Sequence, residues 1–356
     1  MLIKELTDLN GVSGNENDVR EYIISKIEGL CDSYRVDSIG NIIAYKKSSG
    51  SKLKVMLSAH MDEVGFIVSG HTDKGFVKFK AVGGIDDRIL PGKKVLVGKK
   101  RLNGVIGSKP IHQQEREERE KISRIKNLYI DIGAESKEEA EKLAPLGDFI
   151  AFDSDFMELG YDCIKAKALD DRVGCAVLIE ALKHSYDFEL YACFTVQEEV
   201  GLRGAQVAAY NVMPDLALII EGTTCADVPD VETYEYSTVL GNGAALTIMD
   251  RTCYCDRELV QYLFDVAVRN GIKVQYKQTT TGGNDAGQIQ RTGNGVKTAS
   301  ISVPCRYIHS PVSVMSRSDY EAVERLTISA LYQISKDKSF IKMKEIDEVK
   351  SKGSRL

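Results

Sequence analysis

Leu190-Tyr-Ala-Cys-Phe-Thr-Val-Gln-Glu198-Glu199 is an apolar run that stops on two adjacent carboxylates. Two further stretches have the same shape, Val55-Met-Leu-Ser-Ala-His60-Met-Asp62 and Leu216-Ala-Leu-Ile-Ile-Glu221-Gly222. Each reads as a short buried strand that ends on a polar side chain. Ala168-Leu-Asp170-Asp171 opens a helical pattern instead, and Tyr307-Ile-His309-Ser-Pro lies in a loop. Open α/β sheets collect their site residues beyond the carboxyl ends of the strands. Two imidazoles and several carboxylates gathered at such an edge need a cation, because clustered carboxylates repel one another and lose their hydration. The pattern points to a two-metal hydrolytic site.

Outward from these stretches, strands alternate with helices. Ser13 or Asn15 is expected to cap a helix from Glu16 to Leu30, with Val19, Tyr22, Ile23, Ile27 and Leu30 at helical spacing. Strands at 34–36, 42–45, 54–58 and 65–68 follow. From about Ser69 the texture changes to short alternating strands (76–82, 94–97, 102–106, 148–152) punctuated by Gly and Pro. Ser136-Lys-Glu-Glu139 is a capping-box pattern, and the mixed-charge run Gln113–Arg124 reads as a solvated surface. After 160 the α/β rhythm returns, from a helix opening at Asp170 to a last helix over 318–335. The expected fold is an α/β domain, 1–69 and 161–336, with a mostly parallel sheet and helices on both faces. A β-rich domain, 70–160, is inserted in it, and a charged tail, 337–356, follows.

Bulk properties narrow the function. With 356 residues, 43% hydrophobic and 28% charged, the chain has ample core for a soluble globular protein. A net charge of −5 gives no general attraction to nucleic acid or to an anionic membrane. No apolar run approaches the ~20 residues of a membrane span, and the N-terminus does not read as a signal peptide. Eight cysteines without Cys-x-x-Cys spacing suit a reducing cytoplasm. Cys253-x-Cys255 reads as two thiols beside a strand end.

His60 alone would read as a structural histidine. Asp62, two residues on, suits the carboxylate that accepts a ligating imidazole's other ring N–H and so fixes its tautomer. Asp171 is free to cap its helix, which leaves Asp170 to bridge two cations with its two oxygens. Of Glu198 and Glu199, one suits a metal and the other the proton transfer from water to a leaving amine. Glu221 reads as a further terminal ligand. His71, His112 and His184 lie outside this pattern.

The motifs Ser58-Ala-His60-Met-Asp62-Glu-Val-Gly, Gly107-Ser-Lys-Pro-Ile-His112, Ala168-Leu-Asp170-Asp171-Arg-Val-Gly, Gln197-Glu198-Glu199-Val-Gly, Gly282-Gly-Asn-Asp285-Ala and Tyr307-Ile-His309-Ser-Pro together resemble the tetrahedral aminopeptidase family. This family of dinuclear metallopeptidases includes glutamyl, leucyl and lysyl aminopeptidases, some labelled endoglucanase. The resemblance implies that His60 and Glu221 are terminal ligands of one cation, that Glu199 and His309 serve the other, and that Asp170 bridges them. It makes Glu198 the general base and acid, and Asp62 the support of His60. Two divalent cations, zinc or cobalt with manganese as a further choice, would serve hydrolysis of peptides from their free N-terminus. The insert would be a dimerisation domain, with dimers assembling into a dodecamer. Glu221 departs from the family's usual Asp, and Asn284 from its usual Thr. A carboxypeptidase or deacylase on the same scaffold is the enzymatic rival, and an inactive assembly or peptide-binding relative is the non-enzymatic one.

Overall fold

The computed structural model describes residues 1–48 and 50–337. The chain opens with α1 (Leu2–Thr7) and α2 (Asn17–Ile27), followed by β1 (Ser33–Val36), β2 (Ile42–Lys46) and β3 (Lys54–His60). A separate module comes next: β4 (Gly65–His71), β5 (Val77–Val82), β6 (Lys94–Val97), β7 (Leu102–Gly107), α3 (Arg116–Arg119), β8 (Tyr129–Asp131), α4 (Lys137–Leu143) and β9 (Phe149–Phe152). The large domain resumes with β10 (Met157–Leu159), β11 (Cys163–Ala166), α5 (Leu169–Ala181), β12 (Glu189–Thr195), α6 (Arg203–Val212), β13 (Leu216–Thr224) and β14 (Ala244–Thr247). It ends with α7 (Arg257–Arg269), β15 (Val274–Lys277), α8 (Ala286–Ile289), β16 (Lys297–Arg306), β17 (Ser313–Ser316) and α9 (Arg317–Lys336).

The large sheet has the order β1-β2-β12-β3-β13-β16-β17-β11-β10, with β14 and β15 branching from β16. The parallel part is its centre, β12-β3-β13-β16; most flanking pairs are antiparallel. Eight of the nine residues of β13 are buried, as a strand covered on both faces requires. The apolar helix α5 packs on β13 and β3, with α1 and α9 against it, while α6 and α8 form a second group over the central strands. Its Val173, Ala176 and Val177 are fully buried in the large core.

The strands β4-β5-β8-β7-β6-β9 close into a barrel. It encloses a core of its own, in which Phe66 meets Phe79 and Phe152 edge-on at 5.1 Å. The module runs from Gly65 to Phe152, not from 70 to 160. β4 belongs to it because it pairs with β5 and β9, and β10 belongs to the large sheet because it pairs with β11. Gln113–Arg124 is almost wholly exposed.

Two caps differ from expectation. Glu16, not Ser13 or Asn15, stands at the N-cap of α2, and its side chain makes no capping bond. At α4, Ser136 accepts from Glu139 N, but the Glu139 carboxylate turns to Glu135 N, so the box does not close. Among the described residues no helix is long and apolar enough to cross a membrane. The tail expectation beyond Asp337 lies outside the described residues.

Candidate active site

The register of the parallel strands builds the site. Thr195 pairs with His60, and Ile219 with Ser58, so Glu221 stands level with His60 one strand away. Glu198 and Glu199 follow the end of β12. Asp170 arrives at the amino end of α5, in a non-helical conformation (φ −83°, ψ 105°). Glycine is required opposite it, since a Cβ on Gly222 would lie 2.9 Å from that of Asp170. His309 comes from the loop between β16 and β17, in the left-handed region at φ 57°. Non-glycine residues held there mark sites where the surroundings dictate backbone geometry.

All five residues expected as ligands converge. His60 Nε2 lies 3.3 Å from Asp170 Oδ1 and 3.1 Å from Glu221 Oε1. His309 Nε2 lies 3.5 Å from Asp170 Oδ2 and 3.3 Å from Glu199 Oε2. The two oxygens of Asp170 therefore face two separate imidazole–carboxylate pairs. Ligand atoms held at ~2.0–2.2 Å around a tetrahedral cation stand about 3.3–3.6 Å apart, close to the spacings within each group. Glu198 is set back, its Oε2 4.0 Å from His60 Nε2.

The surroundings suit cations. His60 Nδ1 lies 3.0 Å from the Asp62 carbonyl and 3.4 Å from its carboxylate. With a cation bound and the ring proton on that side, Nε2 would present its lone pair to the cation beside two carboxylate oxygens. Glu221 Oε2 is buried without a hydrogen-bond partner, an orphan that a cation would satisfy. Burial by itself would push His60 down, but Glu221, Asp170 and Asp62 outweigh it and hold the imidazole well above its usual range. His309 is raised to about 9, with Asp170 and Glu199 overcoming burial. Burial pushes Glu198 and Glu221 well up and Glu199 to about 7. Asp170 is lowered, because His309 and His60 outweigh its burial.

Asp62 does more than the sequence indicates. Its carboxylate accepts from Ser13 Oγ (2.6 Å), Glu198 N (3.0 Å) and Glu199 N (3.1 Å), so it also orients the Glu198–Glu199 backbone. Asp171 accepts from Gly174 N at 2.9 Å, the local capping bond, and from His60 N at 3.1 Å. Asp285 is fully buried and receives the Thr195 hydroxyl at 2.6 Å. Its signal was the acid in an otherwise small-residue motif, which does not reveal a partner on β12. Asn284 caps Ala286 N and bonds Ser300 Oγ. The barrel supplies no ligand, yet it borders the site. A Cβ on Gly83 would meet Val64 at 2.8 Å and Glu199 at 3.4 Å, and one on Gly84 would meet His309 at 3.7 Å. Of the other histidines, His71 bonds Ala144 O, His184 bonds the Tyr332 hydroxyl, and His112 is exposed.

The profile of the M42 glutamyl aminopeptidases matches residues 40–326. The chain belongs to that family. M42 membership makes it a peptidase of the aminopeptidase class. A relative from Acetivibrio thermocellus, provisionally named an aminopeptidase, is 42% identical over 332 residues, 93% of this chain and 97% of its own. Aminopeptidase APDkam598 from the archaeon Desulfurococcus kamchatkensis superposes with a TM-score of 0.92 at 36% identity, covering 97% of this M42 chain and 98% of its own. The TET1 peptidase of Pyrococcus horikoshii, described as assembling into a tetrahedron or a large octahedral shell, superposes with a TM-score of 0.82 at 37% identity. The coverage is 93% of this chain and 98% of that one.

Proposed function

We propose that this chain is a dinuclear metallo-aminopeptidase. The observation that carries the reading is the division of the two Asp170 oxygens between the His60–Glu221 and His309–Glu199 pairs. When bound, two divalent cations supply a polarised scissile carbonyl and a water of lowered pKa. His60 and Glu221 would hold one cation, His309 and Glu199 the other, and Asp170 would serve both. Glu198, farther from His60 Nε2 than Asp170 and Glu221 are, takes the proton of the attacking water and returns it to the leaving amine. Asp62 orients His60 through its carbonyl and the Glu198–Glu199 backbone through its carboxylate. Metal-stripped protein is expected to hydrolyse aminoacyl-p-nitroanilides only after zinc, cobalt or manganese is restored. The same panel should leave N-acylated peptides intact. Cleavage of blocked peptides with none of free N-termini would overturn the aminopeptidase reading in favour of a deacylase.

We propose that the barrel is the assembly module of a homo-oligomer, with dimers building a dodecamer. It has its own core, and it exposes Val105, Ile111, Ile122 and Leu146. Apolar surface of that kind suits burial between subunits. Replacing 65–152 with a short linker is expected to dissociate the oligomer while the α/β domain stays folded. An unchanged mass by light scattering would refute this role.

A further inference from the structure

Four consecutive peptide N–H groups follow β12, and each is received by a side chain. Val196 N donates to Asn41 Oδ1 at 3.0 Å and Gln197 N to Glu16 Oε1 at 3.3 Å. Glu198 N and Glu199 N both donate to Asp62. All three acceptor residues come from the first 62 positions, and all are buried. Gln197, in the middle of this turn, sits in the left-handed region at φ 57°. A non-glycine residue stays there only when its surroundings hold it.

Asp62 belongs to the ligand motif, but Glu16 lies far from it in sequence. Glu16 occupies the N-cap of α2, where a short Ser, Thr, Asp or Asn would bond the first turn. It makes no such bond. Its carboxylate turns back to accept from Gly14 N at 2.7 Å and from Gln197 N. A carboxylate only 3% exposed is costly unless its bonds matter to the fold or to the site. The loop that carries it is itself pinned. Gly11 N bonds the Glu63 carboxylate at 2.9 Å, Ser13 N bonds Glu63 O at 3.2 Å, and Ser13 Oγ bonds Asp62. Gly14, at φ 88°, makes the turn that returns Glu16 toward the site.

We infer that Glu16 is a positioning residue for hydrolysis, holding the Gln197 turn so that Glu198 and Glu199 are aimed at their separate tasks. The inference rests on the proposed role of Glu198. Loss of the acceptor frees the turn, and displacements of about 1 Å at reacting groups cost ~10²-fold in rate.

The test compares three Glu16 variants, with Glu198→Gln alongside, at full metal loading. Glu16→Leu is expected to lower kcat about 10- to 100-fold with KM little changed. It should keep two cations per subunit, and amide exchange across 196–202 should become faster. Glu16→Gln keeps a carbonyl acceptor and is expected to restore most of kcat and of the exchange protection. Wild-type kcat in Glu16→Leu would overturn the inference, and so would a Gln variant as impaired as the Leu one. If Glu16→Leu does not fold, Glu16→Asp decides. It retains the charge on an arm one methylene shorter, so a drop in kcat with both cations present supports the role and unchanged kcat overturns it. Glu198→Gln, measured alongside, separates the two readings. Full turnover there would sink the general-base assignment, whereas faster exchange in Glu16→Leu reports the turn independently of that chemistry.

Discussion

Glu198→Gln is expected to bind two cations as the wild type does and to lose about 10²–10⁴-fold in kcat, a barrier increase of roughly 3–5 kcal/mol. The amide matches the carboxylate in size and leaves the backbone bond from Glu198 N to Asp62 in place. It cannot take a proton from water. Because Glu198 Oε2 stands 4.0 Å from His60 Nε2, farther than Asp170 or Glu221, metal content should not follow activity down. Parallel measurement of kcat and of metal by mass spectrometry checks this. Near-normal turnover in a fully loaded variant would remove Glu198 from the chemistry.

Asp170→Ala is expected to lose both cations and all measurable hydrolysis, whereas His309→Ala loses only one cation. The asymmetry follows from the bridge. Without Asp170, each group keeps one imidazole and one glutamate, His60 with Glu221 and His309 with Glu199. Without His309, the group formed by His60, Glu221 and Asp170 is intact. Ligands that bind only the folded state stabilise it by mass action. Zinc should therefore raise the melting temperature of the wild type strongly, that of His309→Ala less, and that of Asp170→Ala little. Two cations in Asp170→Ala would refute the bridging geometry.

Most of the candidate site residues were legible because they interrupt a pattern. His60, Glu198, Glu199 and Glu221 end runs that are otherwise apolar, and a polar residue in that place has few structural explanations. Asp170 was legible because Asp171 could cap the helix in its stead, and Asp171 does hold Gly174 N. Asn41 and Glu16 carry no such signal. Each is a common polar residue in a loop or at a helix start, and its partner lies more than 150 positions away. The limits of the barrel were blurred for a related reason. β8 is three residues long, and β4 and β10 read equally well in either module until their pairing is known.

Local pattern by itself determined that strands and helices alternate, that a β-rich module interrupts them, and which side chains end the buried strands. These follow from periodicity and from the cost of placing charge beside apolar sequence, both properties of neighbouring residues. Tertiary structure decided the rest. Strand register brought Glu221 level with His60, and the approach of α5 to Gly222 turned Asp170 between two imidazoles. The folding-back of the first 62 residues placed carboxylates and an amide under the Glu198–Glu199 turn. Such arrangements depend on pairings between distant segments, whose energies appear only once the chain has closed on itself, so no local pattern records them.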